Sequence, residues 1–188
     1  GVKNTDEFIQ LAKSKPGRFS YGSSGVGTAL HLAGEMVKEQ AGLFMTHIPY
    51  RGVAPLTNDL VGNNLEFGVF VLSSGLPHIR SGKVIALGTT EKQRSKVTPD
   101  IPALAEHPAL KSTDISTWFV LMAPGKLPEA IQTRLKKALA EALQNPDLRS
   151  KLEASGSAVA SAPVDMNKFL RDETTKYQRI VDFARIRE

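Results

Sequence analysis

The chain contains no cysteine, so disulfides, thiol catalysis and cysteine-bound metal are excluded. No apolar run approaches the roughly 20 residues that span a bilayer, and no basic-then-apolar export signal stands at Gly1. No block of five like charges occurs, so the net charge of +5 is spread thinly and gives no nucleic-acid-binding tail. Mild basicity of this kind suits a small anionic ligand. The four histidines, His31, His47, His78 and His107, show no metal-ligand spacing with a nearby acid. Repeats and low-complexity tracts are absent as well. What remains is ordinary globular composition, 41% apolar and 23% charged over 188 residues, enough for one domain or two small ones.

Local signals alternate. Thr5 is placed to cap a first helix that carries Phe8, Ile9, Leu11 and Ala12 and ends at Pro16-Gly17. "RFSYG" reads as a strand, and Gly25 to Ala41 as a helix stopped by Gly42. "FMTHIPY" is a second strand, followed by the helix "APLTNDLVG". "LEFGVFVL" is a third strand, "SGLPHIRSG" a helical turn, and "KVIALGTT" a fourth strand. Alternation at this spacing implies an α/β unit with a mostly parallel sheet, and the apolar run Val69 to Leu72 fits a strand covered on both faces. "TPDIPALAEHPALKSTD" reads as a linker with one short helix. "ISTWFVLMAP" is expected to be a further strand. Helices follow over Pro128 to Gln144, Asp147 to Ala154 and Pro163 to Arg185.

The stretch "YGSSGVGTALHLAGE", from Tyr21 to Glu35, carries the chemistry. Gly22 and Gly27 have phosphate-loop spacing, but Thr28 stands where lysine is needed and Ala29 where the magnesium-binding hydroxyl belongs. In the dinucleotide pattern Leu30 replaces the third glycine, and "GSSG" is not a nucleophile elbow. A strand, a glycine turn and a helix start nonetheless leave free N–H groups and a partial positive charge at one point. With Ser23, Ser24 and Thr28 beside it, such a point suits a carboxylate, which needs directed donors and no metal. The plainer reading is that Ser24 caps the helix and the glycines allow a tight turn. "HIPYRGVAP" offers a second strand end and helix start, with Tyr50, Arg51, Gly52 and Ala54; "LSSGLPHI" offers a third, with Ser73 and Ser74. In a parallel sheet these would open onto one edge. A Ser24–His31–Asp59 triad has no supporting spacing, and Glu35 is placed to pair with His31 one turn away.

Taken together, "YGSSGVGTALHLAGEMVKEQAG", "MTHIPYRGVAPLTNDLVG", "SGLPHIRSGKVIALGTTEKQRSKVTPDIPALAE" and "STWFVLMAPGKLP" resemble the tripartite tricarboxylate transporter substrate-binding proteins, the Bug or TctC family, over nearly the whole chain. The resemblance implies a periplasmic-binding-protein-like (type II) α/β fold. It also implies a non-enzymatic, cofactor-free receptor in the periplasm that closes two lobes on a small organic acid and hands it to membrane transporter subunits. It carries the ligand role onto Ser23, Ser24, Gly25, Gly27 and Thr28, then onto Tyr50, Gly52 and Ala54, and by extension onto Ser74.

Family members are longer and begin with a strand and glycine-rich loop that are absent here. Residues 1–112 are therefore expected to form the second lobe, and 113–188 the crossover strand and C-terminal helices of an incomplete first lobe. Phe70 and Val71 replace polar residues common in the family, which disfavours a ligand with an ammonium group. Helices deprived of their sheet are expected to make the chain self-associate, with exchange of C-terminal helices with a second copy as one route. The competing readings are an effector module of a regulator, a hydrolase or phosphotransferase built on the loop, and a truncated remnant that binds nothing.

Overall fold

A computed structural model describes residues 1–159 and 164–186. Its first half is a three-layer α/β arrangement around a three-stranded sheet. The strands are β1 (Ser20–Ser23), β2 (Thr46–Pro49) and β3 (Phe67–Gly68). Their order is β2-β1-β3 and both pairings are parallel, with Tyr21 opposite His47 on one side and Phe67 on the other. The helices joining them are α2 (Ala29–Ala41) and α3 (Val53–Val61), after α1 (Thr5–Ser14) and before α4 (Leu72–Arg80).

Each helix boundary has a chemical cause. Asn4, not Thr5, caps α1: its side chain accepts the Glu7 amide at 2.8 Å. Thr5 instead donates its hydroxyl to the Leu87 carbonyl at 2.7 Å, tying the helix to a distant segment. α2 starts four residues later than its sequence pattern suggests, because Thr28 rather than Ser24 accepts from the first turn, at His31 N–H. Gly42 and Gly62 end α2 and α3 as expected.

Burial follows the amphipathic stripes. Phe8, Ile9 and Ala12 of α1 pack with Tyr21, Leu43, Met45, Leu104 and Leu110 into the main core. A second cluster joins Leu32, Ala33 and Met36 of α2 to Ile115 and Ile180. Two close approaches set the spacing of these layers. A Cβ on Gly22 would lie 2.6 Å from Leu65 Cδ2 and 3.0 Å from Tyr50 Cε2; one on Gly34 would lie 2.6 Å from Tyr21 Cζ.

Three expected strands do not form as such. "LEFGVFVL" pairs only over Phe67–Gly68, and "KVIALGTT" contributes a single bridge, Thr89 to Ala103. "ISTWFVLMAP" has no strand partner among the described residues, and Phe119, Leu121 and Met122 are 80%, 68% and 73% exposed. Apolar content marks a segment as a strand only when a neighbour takes up its backbone hydrogen bonds. The linker before "ISTWFVLMAP" forms two short 3₁₀ turns, Leu104–Glu106 and Pro108–Leu110, rather than one helix.

The C-terminal helices are α5 (Glu129–Gln144), α6 (Pro146–Ala154) and α7 (Met166–Ala184). Pro163, expected to open the last of these, lies outside the described residues. α7 packs on α2 through Ile180, and Trp118 is held against it by a 3.0 Å hydrogen bond to Glu173 and an edge contact with Phe169. α5 and α6 bury no residue, so the Ile131–Leu135–Leu139 stripe of α5 faces outward.

Candidate functional site

Because the strands are parallel, β1, β2 and β3 all end at one edge of the sheet, and α2, α3 and α4 all begin there. The order β2-β1-β3 puts the glycine turn after β1 in the middle. The two glycine turns touch. Gly52 N–H donates to the Ser24 carbonyl at 3.2 Å, and Tyr50 N–H to the Ser23 carbonyl at 2.9 Å. Two helix starts therefore share one rim, with the first-turn amides of Ala29 and Leu30 on one side and of Val53 and Ala54 on the other, none of which has an acceptor within its helix.

The site residues marked in the sequence divide into three groups by burial. Gly27 at the tip and Ala54 are exposed; Ser24, Gly25, Thr28, Tyr50 and Gly52 are half-buried behind them, and Val26, not marked in the sequence, is exposed beside Gly27. Ser23 is fully buried, and its hydroxyl is engaged with His47 and with the backbone of Gly25. Thr28 donates to the Gly25 carbonyl at 2.8 Å, which closes the turn, and Ser24 donates to Thr28 at 3.3 Å. The Tyr50 phenol donates to Asp59 at 2.8 Å; its own loss of a proton is pushed up by burial and by that carboxylate. Arg51 is exposed beside the rim and has no ion pair among the described residues. Ser74 lies in the first turn of α4 with its side chain exposed and its amide bonded to the Val71 carbonyl. Ser24, His31 and Asp59 each bond a different group, so no triad forms.

Gly27 has φ of +74°, which an L side chain adopts only with strain. Its amide does not point outward. It donates to His31 Nδ1 at 3.1 Å. His31 stacks flat on His47, with centroids 3.9 Å apart and planes 10° from parallel, and Tyr21 continues the column at 4.9 Å. Beneath them Tyr21 donates to Glu35 at 2.7 Å, and Lys38 closes on the same carboxylate at 2.7 Å. The i, i+4 pairing of His31 with Glu35 is present but long, at 4.0 Å. Burial lowers the proton affinity of both imidazoles, that of His47 to about 4, with the neighbouring ring's charge adding to the effect. Two imidazolium charges 3.9 Å apart would repel by about 4 kcal/mol at an effective dielectric of about 20, so the column holds at most one extra proton near neutrality. No stretch of sequence announces this column; only the β1–β2 register brings His47 beneath the loop.

The site therefore offers outward backbone donors, hydroxyls one layer back and a neutral aromatic floor. Among the described residues no cluster of His, Asp or Glu could hold a metal. No described helix is long and apolar enough to cross a membrane.

Comparison with known proteins agrees with this architecture. The family model described as tripartite tricarboxylate transporter family receptor matches residues 1–185. Protein BugT of Bordetella pertussis is 30% identical over 183 residues, covering 96% of this chain and 55% of BugT. An R. palustris protein, Rpa4515, solved with adipate, superposes with a TM-score of 0.90 at 26% identity over 98% of this chain and 62% of its own. A structure described as a periplasmic transporter does so with a TM-score of 0.84 at 30% identity, over 98% and 60%. The chain thus spans about half the length of the curated relative it matches. A match over nearly every residue, on a fold these solved structures share, places the chain in the tripartite tricarboxylate transporter receptor family, a family of substrate-binding receptors and not of enzymes.

Proposed function

We propose that this chain is the carboxylate-holding part of a periplasmic solute receptor that feeds a tripartite tricarboxylate transporter in the membrane. The observation that carries the reading is the shared rim: two helix starts joined by the Gly52–Ser24 hydrogen bond, with their first-turn amides unclaimed. A carboxylate oxygen accepts from such amides in place of the missing helical carbonyls, and the helix dipoles favour its charge. The net charge of +5 acts in the same direction. The relative solved with adipate supports a dicarboxylate in particular. Val26, Gly27, Ala29 and Ala54 form the contact surface in this reading, and Ser23, Ser24, Thr28, Tyr50 and Gly52 hold it in shape. Residues 1–112 act as one lobe, and 113–188 as the crossover and helices of the other.

Calorimetric titration with adipate, malate and citrate tests this. Binding of at least one is expected. Gly27→Asp should weaken it at least about tenfold, since an added carboxylate at the loop tip repels the ligand by a few kcal/mol at about 4–5 Å. Binding left intact by Gly27→Asp would refute the placement.

A second reading concerns assembly. The exposed Phe119–Met122 stretch and the outward stripe of α5 support self-association of this chain through those faces, with exchange of C-terminal helices as one route. Light scattering at micromolar concentration should show a species larger than one chain; a compact monomer would refute it.

A further inference from the structure

The imidazole column beneath the glycine turn has no part in holding a carboxylate directly, yet both rings grip the turn. His31 Nδ1 accepts the Gly27 amide at 3.1 Å, and His47 Nε2 lies 2.7 Å from Ser23 Oγ, which in turn contacts both the amide and the carbonyl of Gly25. An Nδ1 that accepts must be unprotonated, so the neutral His31 carries its proton on Nε2, the nitrogen that faces Glu35. The titratable groups facing the pair are Tyr21 from β1 and Glu35 and Lys38 from α2. The charged groups on the elements packed against α2 are turned elsewhere: Arg179 of α7 bonds Glu39, Lys176 bonds Glu173, and His107 beside the second 3₁₀ turn bonds Asp6.

We propose that His31 is a proton-operated latch on the glycine turn. In its neutral form Nδ1 holds the Gly27 amide and keeps the turn closed. When Nδ1 takes a proton from solvent it becomes a donor facing a donor. The Gly27 N–H then loses its acceptor, and the turn from Ser24 to Thr28 opens about its two positive-φ glycines, Gly25 and Gly27. His31 is thus a positioning residue, acting on any ligand through the loop.

Burial, with Lys38, disfavours the charged ring and Glu35 favours it, with a net lowering from the ordinary value of 6.5. The closed form is therefore complete at neutral pH and is lost as pH falls below that value. The consequence for cargo, weaker binding on acidification, rests on the carboxylate reading; the latch itself does not.

The test uses the ¹⁵N-labelled chain without ligand. The Gly27 amide shift and the His31 Nδ1 shift should titrate with one common midpoint below 6.5. His31→Asn places Oδ1 where Nδ1 stood and cannot take up a proton in this range. It should keep Gly27 protected from exchange while abolishing the titration. His31→Gln puts its oxygen one bond too far, and should speed Gly27 exchange about fivefold or more at neutral pH, the equivalent of one lost hydrogen bond. A Gly27 amide that stays flat while His31 titrates, or Asn and Gln variants that behave alike, would overturn the latch. Calorimetry with adipate on either side of the midpoint separates the two claims. Affinity that falls with pH in the parent and not in His31→Asn supports both. Absence of both adipate and malate binding at either pH, with Gly27 and His31 still titrating together, supports the latch and refutes the dicarboxylate reading.

Discussion

Replacing Gly34 by alanine probes the packing that supports the glycine turn. In a helix interior this exchange ordinarily stabilises by about 1 kcal/mol, because glycine has more backbone freedom to lose. Here the new methyl would lie 2.6 Å from Cζ and 2.9 Å from Cδ2 of Tyr21. The ring has nowhere to retreat. It is 4% exposed, stacked on His47 and tethered through its hydroxyl to Glu35 at 2.7 Å. Overpacking of this kind costs about 1–3 kcal/mol, and a ring forced off Glu35 forfeits a charge-assisted hydrogen bond of about 1.5–3 kcal/mol. Set against the helix gain, the net loss is about 1.5–5 kcal/mol. For a chain of this size that lowers the thermal midpoint by roughly 3–20 °C. Urea unfolding of Gly34→Ala against the parent measures it. In a Tyr21→Ala background the same substitution meets no ring and should recover its ordinary gain, a coupling read from the double-mutant cycle. A Gly34→Ala variant as stable as the parent would refute the reasoning.

Other outcomes follow from single contacts. Glu106 bonds Arg94 at 2.8 Å and the Ala103 amide at 3.0 Å, which hold its carboxyl down at about 2. Arg94→Ala should return it toward 4.5 in a carboxyl NMR titration. Because the folded value is depressed, the contribution to stability is present above 4.5 and fades as pH falls toward 2, so the acid-unfolding midpoint of Arg94→Ala should lie at higher pH. Leu121→Glu and Leu135→Glu put a charge on each exposed apolar face and should shift the chain toward monomer in light scattering; unchanged mass in both would exclude those faces as the contact. Tyr50→Phe removes the bond to Asp59 and should cost about 1 kcal/mol in urea unfolding while leaving adipate binding in place, since the phenol is already committed; loss of binding would make that hydroxyl a ligand contact.

Much of this architecture is legible in the residues alone. The alternation of short apolar runs with capped helices gives the parallel α/β unit, and the stops at Gly42 and Gly62 fall where glycine places them. Strand lengths are not legible in the same way. The run from Val69 to Leu72 is as apolar as a buried strand, yet pairing ends at Gly68 and Leu72 already begins a helix. Hydrophobicity records burial, whereas a ladder also needs a partner in register. At the site, the glycines and hydroxyls are visible in the sequence, but their bonding is not. The i, i+4 spacing of Gly27 and His31 is there to see, although nothing in it says that a side-chain nitrogen accepts from a turn amide. The Ser23–His47 contact depends on two strands 24 positions apart finding their register.

Gly22 has an effect out of proportion to its size. With hydrogen in place of a methyl, Leu56, Leu65 and Tyr50 close directly onto the backbone of β1, and α3 sits flush against the sheet. The distance between α3 and the glycine turn is gauged by that contact, much as a shim sets a clearance. Residues that face outward, such as Arg51 and Ala54, can change without disturbing that contact, so on the carboxylate reading proposed above selectivity could be retuned at the surface. Any side chain at position 22 would instead wedge α3 away from the sheet and shift both glycine turns together.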